Sequence, residues 1–183
     1  MERKSEFRLS RIMSQEKLKE ALQGGLIQLY QEVFAEPPYL EQFGDEEIRV
    51  VFTKYVAKGV LFLAYLDDQV VGFGAAMPLS ESSICHMQEV IECDPDRTWY
   101  MADLGVRKDV RRCGLARRLV EARLDFLEPG TYVIMRTTQG NLLSRSLYSS
   151  LGFQLMPVTQ DVSQERQDGT VQADARIFMS KRL

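Results

Sequence analysis

Arg111-Arg112-Cys113-Gly114-Leu115-Ala116 is a basic, glycine-bearing turn between a stretch that reads as a strand and one that reads as a helix. Upstream, Tyr100 to Val106 has strand character. Downstream, Leu115, Leu119, Ala122 and Phe126 recur at spacings of four, three and four, which stacks them on one helical face. The first turn of a helix leaves N–H groups unpaired and carries the positive end of the peptide dipole, so a diphosphate docked end-on satisfies both. Gly114 and Ala116 are small enough to let it approach, and Arg111 and Arg112 can add charge-assisted hydrogen bonds from the flank. Between Arg107 and Arg123 there are seven Lys or Arg against Asp109 and Glu121, a local excess of five in a chain of net charge −3, so the remainder carries −8. On its own this pattern also fits a solvated basic helix that begins with a glycine.

A second segment narrows the reading. Asn141-Leu142-Leu143-Ser144-Arg145-Ser146-Leu147-Tyr148-Ser149-Ser150-Leu151-Gly152-Phe153 reads as an Asn-capped helix with Leu143, Leu147 and Leu151 on one face and a glycine stop. It follows Tyr132 to Thr138, whose β-branched and aromatic content marks a buried strand. With both segments in view the chain resembles the GNAT superfamily of acyl-CoA-dependent N-acyltransferases. The Arg/Gln-x-x-Gly-x-Gly/Ala signature of that family falls on Arg111, Gly114 and Ala116. Its Asn-x-x-Ala/Ser-x-x-Leu-Tyr-x-x-Leu-Gly-Phe pattern falls on Asn141, Ser144, Leu147, Tyr148, Leu151, Gly152 and Phe153. The resemblance runs from about Val60 to Val158, extends towards Phe7, and is weakest over the last 25 residues. Cys113 departs from the small residue that many relatives carry before the signature glycine.

The resemblance implies acetyl-CoA as acyl donor, held by Arg111, Arg112, Cys113, Gly114, Leu115 and Ala116, with the strand edge Leu104, Gly105 and Val106 taking the pantetheine arm. It also places a bulge at Gly105 that splays this strand from its neighbour. Asn141 caps its helix and is a further donor-binding candidate. Tyr148 is the candidate proton donor, because a phenol of ordinary pKa about 10 is protonated at neutral pH and can supply a departing thiolate. The same tyrosine also fits a helix face packed on its neighbours. For the general base, Asp103, Glu36, His86 and Glu89 are all candidates, with Asp103 in the motif strand preferred. Glu36 and Tyr39, in Glu36-Pro37-Pro38-Tyr39, lie where the family lines its acceptor site. The implied reaction is transfer of an acetyl group to a primary amine within a ternary complex, the acceptor being a small molecule or a peptide. A non-catalytic acyl-CoA-binding or sensing module is the alternative, whereas for a Rossmann dinucleotide binder the second and third glycines of its fingerprint and its repeated strand-helix pattern are missing here.

Composition agrees with this class. At 183 residues and 45% hydrophobic, the chain has the size of a single domain, 1–183, with a real core. It has no apolar run of 18 residues, and Met1 to Glu6 is charged and polar, so the reading is a cytoplasmic protein with neither membrane nor nucleic acid as partner. A homodimer is left open. Cys85, Cys93 and Cys113 are too few and irregularly spaced for a disulfide framework, and with His86 they lack zinc-type spacing, so no metal is assigned.

Along the chain, Phe7 to Ile12 alternates like a half-buried strand. Ser14 caps a helix from Gln15 to Leu22, Gly24-Gly25 interrupts it, and a second helical face runs on to Pro37-Pro38. Asp45 caps a helix from Glu46 to Lys58. Val60 to Leu66 and Gln69 to Pro78 form a hairpin around Asp67-Asp68. Ser80 to Asp96 reads as irregular surface and Thr159 to Ala173 as a mobile loop. Phe153 to Val158 pairs with Arg176 to Ser180. The order predicts an α/β (α+β) fold, a mixed sheet flanked by helices, which in the GNAT fold is mostly antiparallel.

Overall fold

The computed structural model describes residues 7–183; the charged start, Met1 to Glu6, lies outside the described residues. Seven strands form a sheet in the order β1-β2-β3-β4-β5-β7-β6. They are β1 (Arg8–Ile12), β2 (Val60–Leu66), β3 (Gln69–Pro78), β4 (Thr98–Val106), β5 (Tyr132–Thr138), β6 (Gln154–Glu165) and β7 (Val171–Arg182). The helices are α1 (Gln15–Ala21), α2 (Ile27–Ala35), α3 (Asp45–Lys58), the short α4 (Gln88–Ile91), α5 (Leu115–Asp125) and α6 (Leu142–Ser150). The pairs β1–β2, β2–β3, β5–β7 and β6–β7 are antiparallel, and β4–β5 is parallel. The expected α/β sheet flanked by helices is therefore present. Its contacts divide the chain into two compact units.

The first unit comprises 7–33, 43–76 and 103–126. Ser14 Oγ accepts from Lys17 N at 3.3 Å, capping α1. Gly24 and Gly25, the latter at φ +105°, break the helical run before α2. The cap of α3 is Gly44, without a side-chain bond; Asp45, expected as the cap, instead sits with Glu46 and Glu47 in the first turn, where three carboxylates face the positive end of the dipole. Asp67 and Asp68 are both left-handed, at φ 48° and 63°, the geometry of a two-residue turn matched to strand twist. Ala64, Val71, Val106, Val110, Leu115 and Leu119 pack together as this unit's apolar cluster around α5.

The second unit comprises 34–42, 77–102 and 127–183. Two expectations are corrected here. Ser80 to Asp96 is not surface coil: it winds through helical turns at Leu79–Glu81 and Cys85–Met87 into α4. Ile84, Met87 and Ile91 are buried there with Tyr100, Ile134, Val158 and Phe178. Apolar residues at 84, 87 and 91 follow helical spacing, but the polar residues between them dilute the signal over so short a stretch. Thr159 to Ala173 is likewise a hairpin, its ladder running from Thr159↔Ile177 to Glu165↔Val171. Exposure alternates along it, yet the residues are polar on both faces, so hydrophobicity carried no period-two signal. Of the expected pairing of Phe153 to Val158 with Arg176 to Ser180, Gln154↔Ser180 and Leu155↔Met179 are present; a break in register follows, and Ile177 and Arg176 pair instead with Thr159 and Gln160.

Candidate active site

In the first unit, β4 runs through a short helical turn at Lys108–Val110 into the start of α5. Gly114 caps α5 at φ +78°, and Arg112, two residues earlier, is also left-handed at φ 64°. The first N–H groups of α5 have no partner within the helix, and a helix start of this kind is where an anion can be received. A Cβ built at Gly114 meets nothing within 4 Å, so the approach to this turn is open, as a pyrophosphate requires. Arg112 and Cys113 are exposed. Leu115 is buried beneath the turn, where only its backbone can serve a ligand. Arg111 is folded back, its Nε donating to Val106 O at 2.9 Å.

The basic excess is smaller at the surface than in the sequence. Arg107 pairs with Asp109 through Nε at 2.7 Å and Nη2 at 2.9 Å, and this hydrogen-bonded partner holds the Asp109 carboxyl below its usual range. Arg123 is 0% exposed, with Nε donating to Leu119 O at 3.1 Å and Nη1 to Ala75 O at 2.8 Å. It belongs to the core stripe Leu115, Leu119, Arg123, spaced four and four. Ala122 and Phe126, expected on the buried face, are only half-buried. Gly105 is required by packing: a Cβ there would lie 2.3 Å from Phe73 Cζ.

Asp103, from β4, is joined by two tyrosines that sequence reasoning missed. Tyr55 Oη donates to its Oδ2 at 2.8 Å and Tyr30 Oη to the same atom at 3.1 Å. Both tyrosines sit in apolar helix faces, so nothing in their spacing marks the hydroxyls as a carboxylate clamp.

In the second unit, the β4–β5 ladder ends at Met101↔Met135, although β4 continues to Val106 and β5 to Thr138. Asn141 caps α6, its Oδ1 accepting from Ser144 N at 3.0 Å. Tyr148 is 2% exposed, its ring edge-on to Phe153 at 5.0 Å between centroids. The stripe Leu143, Leu147, Leu151 does not form the buried face: Leu143 is 80% exposed and the other two are half-buried, while Tyr148 points inward. Tyr39 meets Asn141, whose Nδ2 donates to Tyr39 Oη at 3.1 Å, and Tyr39 Oη lies 3.1 Å from Thr137 Oγ1. Glu36 sits half-buried at the start of that turn, its carbonyl accepting from Tyr39 N and Leu40 N. Glu89 and His86 are exposed; His86 Nε2 lies 3.1 Å from Gln160 Nε2 and its Nδ1 lies 3.1 Å from Ser83 O. Burial pushes the Cys93 thiol up, and among the described residues no group of three His, Cys, Asp or Glu is placed to hold a metal ion. Nor is any described helix long and apolar enough to cross a membrane.

The model of the Acetyltransferase (GNAT) family matches residues 26–153, more than half of the chain. The chain belongs to this family. Solved structures agree in fold. Ribosomal-protein-alanine N-acetyltransferase from Brucella melitensis is 18% identical to the chain, with a TM-score of 0.65 over 95% of this chain and 99% of that one. NAA60 from Arabidopsis thaliana, solved with acetyl-CoA, is 16% identical, with a TM-score of 0.66 over 97% and 100%. The acetyltransferase yncA from Salmonella typhimurium, described as putative and solved with its cofactor acetyl-CoA, is 13% identical, with a TM-score of 0.64 over 96% and 94%. No curated protein matches the chain. For this GNAT acetyltransferase the expected signature turn thus coincides with the left-handed entry to α5.

Proposed function

We propose that this GNAT chain is an N-acetyltransferase, a single domain over 1–183 acting in the cytoplasm, that moves the acetyl group of acetyl-CoA to a primary amine by direct transfer in a ternary complex. The observation that carries the reading is the turn at Arg111 to Ala116, where two left-handed residues, an open approach and exposed arginine converge on a helix start. Backbone N–H groups of this turn would hold the pyrophosphate, Arg112 adding charge from the flank. The β4 edge from Leu104 through Gly105 to Val106 would take the pantetheine, and Asn141 would complete the donor's contacts. Bound acetyl-CoA supplies the activated acyl carbonyl.

Asp103, fixed by its two phenols, would accept the proton that the acceptor's ammonium must lose before its nitrogen can attack. Tyr148 would return a proton to the leaving sulfur. Glu36 would face the acceptor as its cation-seeking group. One neighbour's name specifies a ribosomal-protein alanine, so a peptide α-amine is the first acceptor to try.

The test is release of free thiol from acetyl-CoA across a panel of small amines and N-terminal peptides, beside calorimetry of acetyl-CoA binding. Turnover with at least one amine is expected, and Gly114→Glu should abolish binding because a side chain at φ +78° is strained and blocks the approach. Burial of Tyr148 against Phe153 favours the second reading, an acyl-CoA-binding module without turnover. Tight binding with no thiol release from any amine would establish that reading instead.

A further inference from the structure

We propose that Tyr39 is a positioning residue for α6: through Asn141 it fixes the start of the helix that carries Tyr148, and it does not itself bind the acceptor. The proposal rests on the reading of Tyr148 as proton donor and specifies what holds that donor in place.

Four contacts fix Tyr39. Asn141 Nδ2 donates to its Oη at 3.1 Å, and Thr137 Oγ1 lies 3.1 Å from the same oxygen. Phe34 meets its ring edge-on at 5.3 Å, and the Arg176 guanidinium lies over the ring at 5.4 Å. Thr137 is 2% exposed, so its hydroxyl has no bulk water to fall back on if Tyr39 leaves. The segment is tied at its far end too. Glu41 N donates to Phe34 O at 2.8 Å, Gln42 N donates to Glu165 O at 3.2 Å, and the Glu41 carboxylate accepts from Arg176, which also donates to the Thr138 hydroxyl. Turning the Tyr39 phenol towards a ligand would forfeit the Asn141 and Thr137 bonds together.

Asn141 shows what this rigidity serves. An amide has one acceptor oxygen and one donor nitrogen, and here the two atoms serve different partners, Oδ1 capping Ser144 N at 3.0 Å while Nδ2 reaches Tyr39. Tyr39 therefore sets the orientation in which Asn141 caps α6. Tyr148 lies seven residues past that cap, about 10 Å along the axis, so a tilt at the cap is carried to its phenol. Misplacement of a reacting group by about 1 Å is enough to cost on the order of a hundredfold in rate.

Tyr39→Phe keeps the ring and removes the oxygen; Asn141→Ser keeps a capping oxygen but cannot reach position 39. At saturating acetyl-CoA, where a weakened donor contact of Asn141 does not enter, we expect each to lower kcat by roughly three- to thirtyfold and to leave the amine KM within about twofold, with the double variant no worse than the worse single, because both remove the Asn141–Tyr39 bond. Amide hydrogen exchange should quicken in the first turn of α6 in both and stay unchanged in α5. Additive losses, unaltered exchange in α6, or a changed amine KM or amine ranking in Tyr39→Phe at constant kcat would each overturn the proposal. Should Asn141→Ser fail to fold, Tyr39→Phe with its exchange profile decides alone. Tyr148→Phe separates the two readings: unchanged turnover there removes the proton-donor role, while the exchange and non-additivity results still report on whether Tyr39 holds α6.

Discussion

Tyr148 concentrates the question of chemistry at the scale of one residue. Its ring is buried against Phe153, so loss of the hydroxyl leaves the packing in place. Tyr148→Phe should keep acetyl-CoA affinity and lower kcat by roughly ten- to a thousandfold, the span expected for one general acid, when measured by thiol release under conditions where chemistry limits the rate. Cys113 offers a footprint of the donor site. It is exposed in the signature turn, whereas burial pushes the Cys93 thiol up and keeps it protonated to higher pH. Iodoacetamide near neutral pH should label Cys113 before Cys93, and saturating acetyl-CoA should slow the Cys113 reaction alone, as followed by peptide mass spectrometry. Single residues were unevenly legible in the sequence. Gly114 could be placed because its role is local, a backbone conformation at a helix start. Asp103 could be named from its strand, but its partners Tyr30 and Tyr55 lie 73 and 48 residues away and carry no motif. Arg123 was counted with the surface cations although its spacing from Leu119 and Leu115 puts it on the buried stripe, a signal the charge masked.

At the scale of elements, the hairpin of β6 and β7 has the least expected behaviour. Its tip joins the segment after α2 through an isolated bridge, Glu41↔Arg166, and through Gln167 N donating to Leu40 O at 3.0 Å. Within that junction Glu41, Arg166 and Arg176 are all buried, and Arg166 Nε, Arg166 Nη1 and Arg176 Nε are buried without a hydrogen-bond partner. A buried pair that is incompletely satisfied contributes little, yet losing one member leaves a stranded charge. Arg176→Met should therefore cost about 3–5 kcal/mol in urea unfolding, and Glu41→Met combined with it should recover much of that loss. Strands such as β2, β3 and β5 were legible because one burial pattern dominates their whole length. The hairpin was not, because its stability comes from backbone pairing and from arginines whose partners lie 135 residues away in one case.

For the whole molecule, the order of strands in the sheet matters more than their order in the chain. The family match ends at Phe153, before β6 and β7 begin. Every residue of β5 from Tyr132 to Thr138 pairs with β7, from Arg182 back to Arg176. A chain shortened to end at Phe153 would leave the β5 edge bare, and such an edge recruits other chains. It is expected to aggregate or to lack fixed tertiary structure by near-ultraviolet circular dichroism. The same crossed order sets a schedule on the ribosome. Thr138 and Arg176 are 38 residues apart, so at ordinary elongation rates of about 5–20 residues per second the partner of β5 emerges about 2–8 s after it. During that interval the apolar Val133, Ile134 and Met135 have no β7 to pair with, so the β5 edge is expected to stay open to other chains until Val171–Arg182 has been made.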